Sequence, residues 1–269
     1  MQKVQTTILK RTLLPGDYYD LELGNPFRDP VLPGHFVMLS AHGLSDPYLK
    51  RPYSVCRARP ASLEHPEGII RLLIKIVGKG SRQMAELPVG TAVEMVGPLG
   101  QPFTVPDNIS RAVFVAGGIG VAPFVELAAY QSLRSVKKIA LIGGRSSADV
   151  LAADDLESLG VDVRLATEDG SLGIKGFVTL LLKDILDEKL PGTVIYSCGP
   201  EPMLKAVGLL ASQAKAPCQL SLEAHMGCGF GVCLGCVVKN REGRYIRVCK
   251  EGPVFEADTL QDYSEEVAS

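Results

Sequence analysis

The chain has 269 residues, 46% of them hydrophobic, and 28 Lys and Arg against 30 Asp and Glu give a formal net charge of −2. That length holds two or three modest domains with real cores, and the even charge balance offers no broad basic surface for nucleic acid. There is no apolar run of ~18 residues and MQKVQTTILKR is no signal peptide, so no membrane span is expected; the odd count of 7 cysteines argues against a fully paired disulfide framework and fits a reducing, cytoplasmic setting.

Residues 1–104 read as strands and turns. QTTILKRTLL, YYDLELG, HFVMLSA, IIRLLIKIV and TAVEMVG are short β-branched and apolar runs, punctuated by Pro15-Gly16, Pro33-Gly34, Gly97-Pro98 and Leu99-Gly100. Many short strands with turn signals predict a small antiparallel barrel. Two motifs here point to a flavin dinucleotide. In Arg51-Pro52-Tyr53-Ser54 the arginine can grip a diphosphate, the tyrosine can lie against a flat ring system, and the serine can bond a ring nitrogen. Gly78-Lys79-Gly80-Ser81 ends one strand and opens a helix, where successive N–H groups make an anion nest. Lys75 adds charge there or faces solvent. A plain barrel strand and a plain tight turn are the competing readings.

Residues 105–215 alternate strand and helix, which predicts βαβ units around a parallel sheet. A strand, the glycine turn Gly117-Gly118-Ile119-Gly120 and the helix VAPFVELAAYQSL come first. The turn has the context of a nucleotide site without the G-x-G-x-x-G fingerprint. Close helix–sheet packing is its other reading. KKIALIGG leads into Arg145-Ser146-Ser147, which suits a ribose or a 2′-phosphate. A helix over ADVLAADDLESLG and the strand VDVRLAT follow. Glu168-Asp169-Gly170 reads as an exposed turn more than as a ligand. After the helix GFVTLLLKDILDEKL, the strand TVIYS ends at Cys198-Gly199-Pro200, at the carboxyl edge where such sheets bind ligands. Cys198 either lines a hydride-transfer pocket or is a small buried residue.

Residues 216–269 carry Cys228, Cys233, Cys236 and Cys249 in the spacing C-x4-C-x2-C-x12-C, with Gly227, Gly229, Gly231 and Gly235 interleaved. The leading pattern is that of plant-type [2Fe–2S] sites. Glycines let the backbone close around the cluster, and amide N–H groups can tune its potential. The segment is too short and glycine-rich to fold strongly without its cofactor. Structural zinc favours two short C-x2-4-C knuckles, a poorer match.

Together RPYSV, IVGKGS, GPLGQPF, AGGIGVAP, DGSLGIKG, YSCGPEPMLKAV and the cysteine block resemble the ferredoxin–NAD(P) reductase superfamily. Within it, the whole chain is most similar to the electron-transfer subunits of class 1B dihydroorotate dehydrogenases. The resemblance implies an antiparallel β-barrel FAD domain, an α/β parallel-sheet domain taking NAD as exchangeable substrate, and a small C-terminal [2Fe–2S] ferredoxin-like domain. It implies FAD contacts at Arg51, Pro52, Tyr53, Ser54, Leu73, Ile74, Lys75, Gly80 and Ser81. NAD contacts fall at Gly117, Gly118, Gly120, Cys198, Gly199 and Pro200, and cluster ligands at the four cysteines. Ser81 stands where threonine is usual, and Lys75 where arginine is frequent.

The resemblance further implies a partner, the FMN-containing dihydroorotate dehydrogenase catalytic subunit, in a heterotetramer of two plus two serving pyrimidine (UMP) biosynthesis. Electrons would pass from dihydroorotate through FMN, the cluster and FAD to NAD+, with no catalytic base in this chain. The cysteine domain would then lie at the heteromeric interface, and Glu223 and His225 are candidates for that interface or for support of the cluster, with plain surface or structural roles as the competing reading. The main alternative is an NAD(P)H-linked reductase subunit of a hydrogenase, sulfur-reducing or ferredoxin-dependent complex. A pure electron carrier without a nicotinamide site is a third reading, opposed by the two glycine turns.

Overall fold

The computed structural model describes residues 1–264 other than 42, 44, 45 and 64; the last five residues of the 216–269 segment lie outside the described residues. The first half is a closed barrel. Its strands are β1 (Gln2–Leu14), β2 (Tyr18–Leu23), β3 (Phe36–Ala41), β4 (Arg51–Arg59), β5 (Ile69–Lys75) and β6 (Ala92–Leu99), with helix α1 (Lys79–Glu86) between the last two. The order around the barrel is β1-β2-β5-β4-β3-β6, all neighbours antiparallel, and β6 closes onto β1.

Alternation decides what fills it. Leu21 and Leu23, Val37 and Leu39, Ile70, Leu72 and Ile74, and Val93 and Met95 are every second residue of their strands, and they form the barrel core. Phe36, Met38, Val96 and Leu99 on the outer face are buried as well, because the C-terminal segment packs over them.

The second sheet contains β7 (Arg111–Gly117), β8 (Lys137–Gly144), β9 (Asp162–Thr167), β10 (Ile174–Lys175), β11 (Thr193–Cys198) and β12 (Cys218–Ser221). Helices α2 (Ala122–Ala128), α3 (Ala153–Ser158), α4 (Val178–Asp187) and α5 (Glu201–Gln213) connect them. Two short strands, β13 (Val237–Lys239) and β14 (Tyr245–Arg247), pair as a hairpin, and β15 (Val254–Glu256) returns to the sheet edge. The order is β10-β9-β8-β7-β11-β12-β15, parallel except for β15. β7 is buried on both faces, as a central parallel strand should be: Val113 and Val115 join one core, Ala112, Phe114 and Ala116 the other.

Two sequence expectations shift. The helix expected over ADVLAADDLESLG is confined to Ala153–Ser158, because the Asp149 carboxylate accepts N–H groups from Arg145 and Ser146 and the hydroxyl of Tyr18, holding a 3-10 turn against the barrel. The segment after 216 also contributes β12 and β15 to the nucleotide sheet, while the cysteine loop and the β13–β14 hairpin between them stand outside that sheet. Among the described residues no helix is long and apolar enough to cross a membrane.

Candidate functional site

A cleft of about 600 Å³ opens where the barrel, the carboxyl edge of the sheet and the chain after β12 meet. Arg51, Pro52, Tyr53 and Ser54 bring β4 to it, Leu73 and Lys75 bring β5, and Gly80 and Ser81 bring the start of α1. At one end Arg51 lies against that helix start: a Cβ on Gly80 would sit 2.9 Å from Arg51 Nε. A guanidinium beside open helix N–H groups is the donor set a diphosphate needs. Ser81 serves the turn itself, its hydroxyl accepting the N–H groups of Val77 and Gly78 at 2.9 and 3.1 Å and donating to Gly78 O.

Tyr53 gives the most direct test of fit. Among the described residues its hydroxyl is the buried side-chain polar atom without a hydrogen-bond partner, and burial pushes its pKa up to about 12. A buried hydroxyl left unbonded is costly, and a flavin in this cleft would supply both a ring to cover and an acceptor. Ile74 is different: its side chain is part of the barrel core, while Leu73 faces the other way, into the cleft. The ammonium of Lys75 lies 3.7 Å from Asp149 Oδ1 and over the Tyr18 ring at 4.8 Å.

The two glycine turns meet at the ends of adjacent strands. A Cβ on Gly120 would lie 2.2 Å from Cys198 O, and one on Gly117 2.7 Å from Pro200 Cδ. These glycines serve close packing of the two turns; of the residues in them, Ile119, Gly120 and Cys198 line the cleft, while Gly117, Gly118, Gly199 and Pro200 lie behind that lining. Cys198 is fully buried and its thiol is driven up by burial. Farther along the edge, the Arg145 and Ser146 amides are taken by Asp149, and Asp169 accepts from Ser171 N and Oγ at 2.9 and 2.6 Å. The acidic turn is thus internally satisfied.

The sequence leaves Glu223 and His225 open among the partner interface, the surroundings of the cluster and plain surface or structural roles. The structure puts both in the cleft, where burial raises the pKa of Glu223 and Lys75 partly offsets the rise. Tyr18 and Asp149 carried no sequence signal. They sit 131 positions apart and join through a 2.6 Å hydrogen bond.

The backbone associates the four cysteines two by two: the Cys233 N–H points at Cys228 Sγ and the Cys249 N–H at Cys236 Sγ, each at 3.5 Å. Among the described residues no three His, Cys, Asp or Glu are gathered as a single-ion site. Two sulfur pairs suit a two-iron cluster, which takes two thiolates per iron, better than one tetrahedral zinc. Burial acts to raise the Cys228 thiol, but N–H groups of Cys233, Phe230 and Val232, at 3.4–3.5 Å, outweigh it and bring it to about 6. Cys236 and Cys249 are buried, and burial together with Cys236 holds Cys249 at about 12. Gly229 (φ +84°) presses this loop onto the barrel, where a Cβ would lie 2.4 Å from Met38 Cγ. Phe36, two residues along β3, lines the cleft, so cleft and cysteine loop share a wall.

The chain matches three family models in order: an oxidoreductase FAD-binding domain over 9–103, an oxidoreductase NAD-binding domain over 114–208, and the iron–sulfur cluster binding domain of dihydroorotate dehydrogenase B over 223–261. It is 37% identical over 257 residues to the electron transfer subunit of dihydroorotate dehydrogenase B (NAD(+)) of Geobacillus kaustophilus (strain HTA426), covering 93% of this chain and 95% of that one. The Listeria monocytogenes subunit is 34% identical over 265 residues, covering 97% and 100%. Among solved structures, an NADH-dependent reduced ferredoxin-NADP oxidoreductase superposes with a TM-score of 0.83 at 26% identity, covering 95% of this chain and 89% of that one. Barrel, sheet, cleft and cysteine pairs therefore have one common source: the chain belongs to the family of dihydroorotate dehydrogenase B electron-transfer subunits.

Proposed function

We propose that this chain is the electron-transfer subunit of an NAD-dependent dihydroorotate dehydrogenase, passing electrons between a partner subunit's FMN and NAD+ in pyrimidine biosynthesis. The observation that carries this is the shared wall at β3, with Phe36 on the cleft and Met38 under the cysteine loop. When bound, FAD exchanges electrons singly with an iron–sulfur cluster and in pairs, as hydride, with a nicotinamide. The chain's own residues position these groups. Arg51 and the amides opening α1 hold the diphosphate, Tyr53, Ser54 and Leu73 bound the ring, and the β7 and β11 turns present the nicotinamide to it. The backbone of Ile74 and the charge of Lys75 complete that wall. Cys228, Cys233, Cys236 and Cys249 hold the cluster.

This reading divides the chain at 1–104, 105–215 and 216–269, in step with the three family matches. It places the complex in the cytoplasm as a heterotetramer of two plus two. The likeness to a ferredoxin-NADP oxidoreductase favours a second reading, a ferredoxin-linked reductase, but at lower identity than the dihydroorotate dehydrogenase relatives. Co-purifying the native complex decides between them. The expected partner carries FMN, and the complex reduces NAD+ with dihydroorotate. A partner of another kind, with no dihydroorotate activity, overturns the proposal.

A further inference from the structure

One arginine organises both cysteine-bearing segments. The carbonyl of Arg247 accepts N–H groups from Lys250, Glu251 and Gly252 at 3.2, 3.0 and 3.4 Å, wrapping the chain tightly around Cys249. Its side chain runs the other way. Nη1 donates to Gly231 O at 2.9 Å, in the loop between Cys228 and Cys233. Glu251 fixes the guanidinium: Oε2 accepts Arg247 Nε at 3.0 Å and Arg247 N at 2.7 Å, while Oε1 accepts Nη2. The fit is close, since a Cβ on Gly231 would fall 2.7 Å from Lys250 Cδ and 3.4 Å from Arg247 Nη1. The two side chains are 28% and 36% exposed, so their charges are only partly screened by water.

We propose that Arg247 and Glu251 are positioning residues of the cluster site: the arginine ties the outer cysteine loop to the Cys249 turn, and the balanced charges of the pair set the cluster's reduction potential. This rests on the reading of the four cysteines as [2Fe–2S] ligands. Potentials of such clusters follow local charge and hydrogen bonding, and reduction adds one negative charge. A lone cation beside the site favours the reduced form, and a lone anion opposes it. In the native pair the two charges offset each other. Arg247→Gln leaves Glu251 alone and lowers the potential. Glu251→Gln leaves Arg247 alone and raises it. Arg247→Lys keeps the charge but loses the fork that reaches Gly231 and Glu251 together.

The test is an EPR-monitored redox titration of the cofactor-loaded protein and its three variants, with iron release to a chelator timed in parallel. Opposite shifts are expected for Arg247→Gln and Glu251→Gln, with Arg247→Lys near the native potential. Both arginine variants should lose iron about 10- to 100-fold faster, the usual effect of removing a group that supports metal ligands. Potential shifts of the same sign, unmoved potentials, or native iron retention in both arginine variants would overturn the proposal while leaving the reading of the four cysteines as cluster ligands in place. A native protein without a [2Fe–2S] signal would overturn both.

Discussion

Arg71 of β5 and Asp155 of α3 are joined by two parallel hydrogen bonds, Nη1 to Oδ1 at 2.8 Å and Nη2 to Oδ2 at 2.9 Å. The same guanidinium donates through Nε to both oxygens of Asp20 in the barrel, at 3.0 and 2.9 Å. Burial acts against the charged arginine, but the two carboxylates outweigh it and hold the proton firmly. The side chains are 20%, 15% and 33% exposed, so this is a partly buried triad rather than a surface pair. It ties barrel to nucleotide sheet, alongside the Tyr18–Asp149 hydrogen bond and the one from Ala58 N to Glu126.

Arg71→Met should therefore destabilise the protein by about 2 kcal/mol, below the 3–5 typical of fully buried pairs because water partly screens the stranded carboxylates. FAD content should hold while bleaching of the flavin by NADH slows, since the barrel site is intact and the approach of the two domains is not. Urea titration and stopped-flow absorbance check the two effects separately. An unchanged bleaching rate would remove Arg71 from the positioning of the nucleotide.

Tyr53→Phe separates the folded chain from its flavin. The hydroxyl is buried and unpartnered in the chain alone. Removing it relieves a desolvation cost of about 1–3 kcal/mol, so the variant freed of flavin should melt at a higher temperature than the native protein freed of flavin. With flavin present the order should reverse, because the lost hydroxyl then had a partner. Calorimetry of both forms measures both signs.

What the sequence made legible was local. The cysteine spacing, RPYS and the two glycine turns each lie within a few residues, and each needs only its own segment to be recognised. The short apolar runs with their Gly and Pro turns, and the strand–helix alternation from β7 onward, point to barrel and sheet in the same way. The strands β12 and β15, four and three residues long, had no such signal. They exist because β11 offers an edge to CQLS and CQLS offers one to VFE. The cleft position of Glu223 and His225 is hidden for the same reason: only once β12 joins the sheet does the chain beyond it turn into the cleft. The partners of Lys75 were also hidden, because Asp149 belongs to another domain.

Gly229→Ala should empty the cluster site and spare the flavin site. The added methyl would fall 2.4 Å from Met38 Cγ and 2.9 Å from its sulfur, at a φ of +84° that alanine resists. Met38 is fully buried and cannot swing away, so the loop must lift, carrying Cys228 and Cys233 with it. The expected product retains FAD near native stoichiometry with iron and acid-labile sulfide much reduced. Full iron content in this variant would contradict the packing of loop on barrel.

Glu223 makes stability depend on pH in a stated direction. Burial raises its pKa above the ordinary 4.5, with Lys75 only partly offsetting the rise. The folded chain therefore holds a proton at this site that the unfolded chain has released, over the window from 4.5 up to the raised value. In that window stability falls as pH rises; above it the cost of burying the carboxylate is constant, and below it there is none. Glu223→Gln removes the titration. The variant should match the native protein below pH ~4.5, gain on it through the window, and stay ahead by a fixed margin at neutral pH. Urea midpoints measured across pH on the flavin-free protein give the difference curve directly. A flat curve would mean that folding leaves the Glu223 pKa unmoved, and one that rises toward acid that Glu223 is carried as a paired carboxylate; either outcome contradicts the prediction.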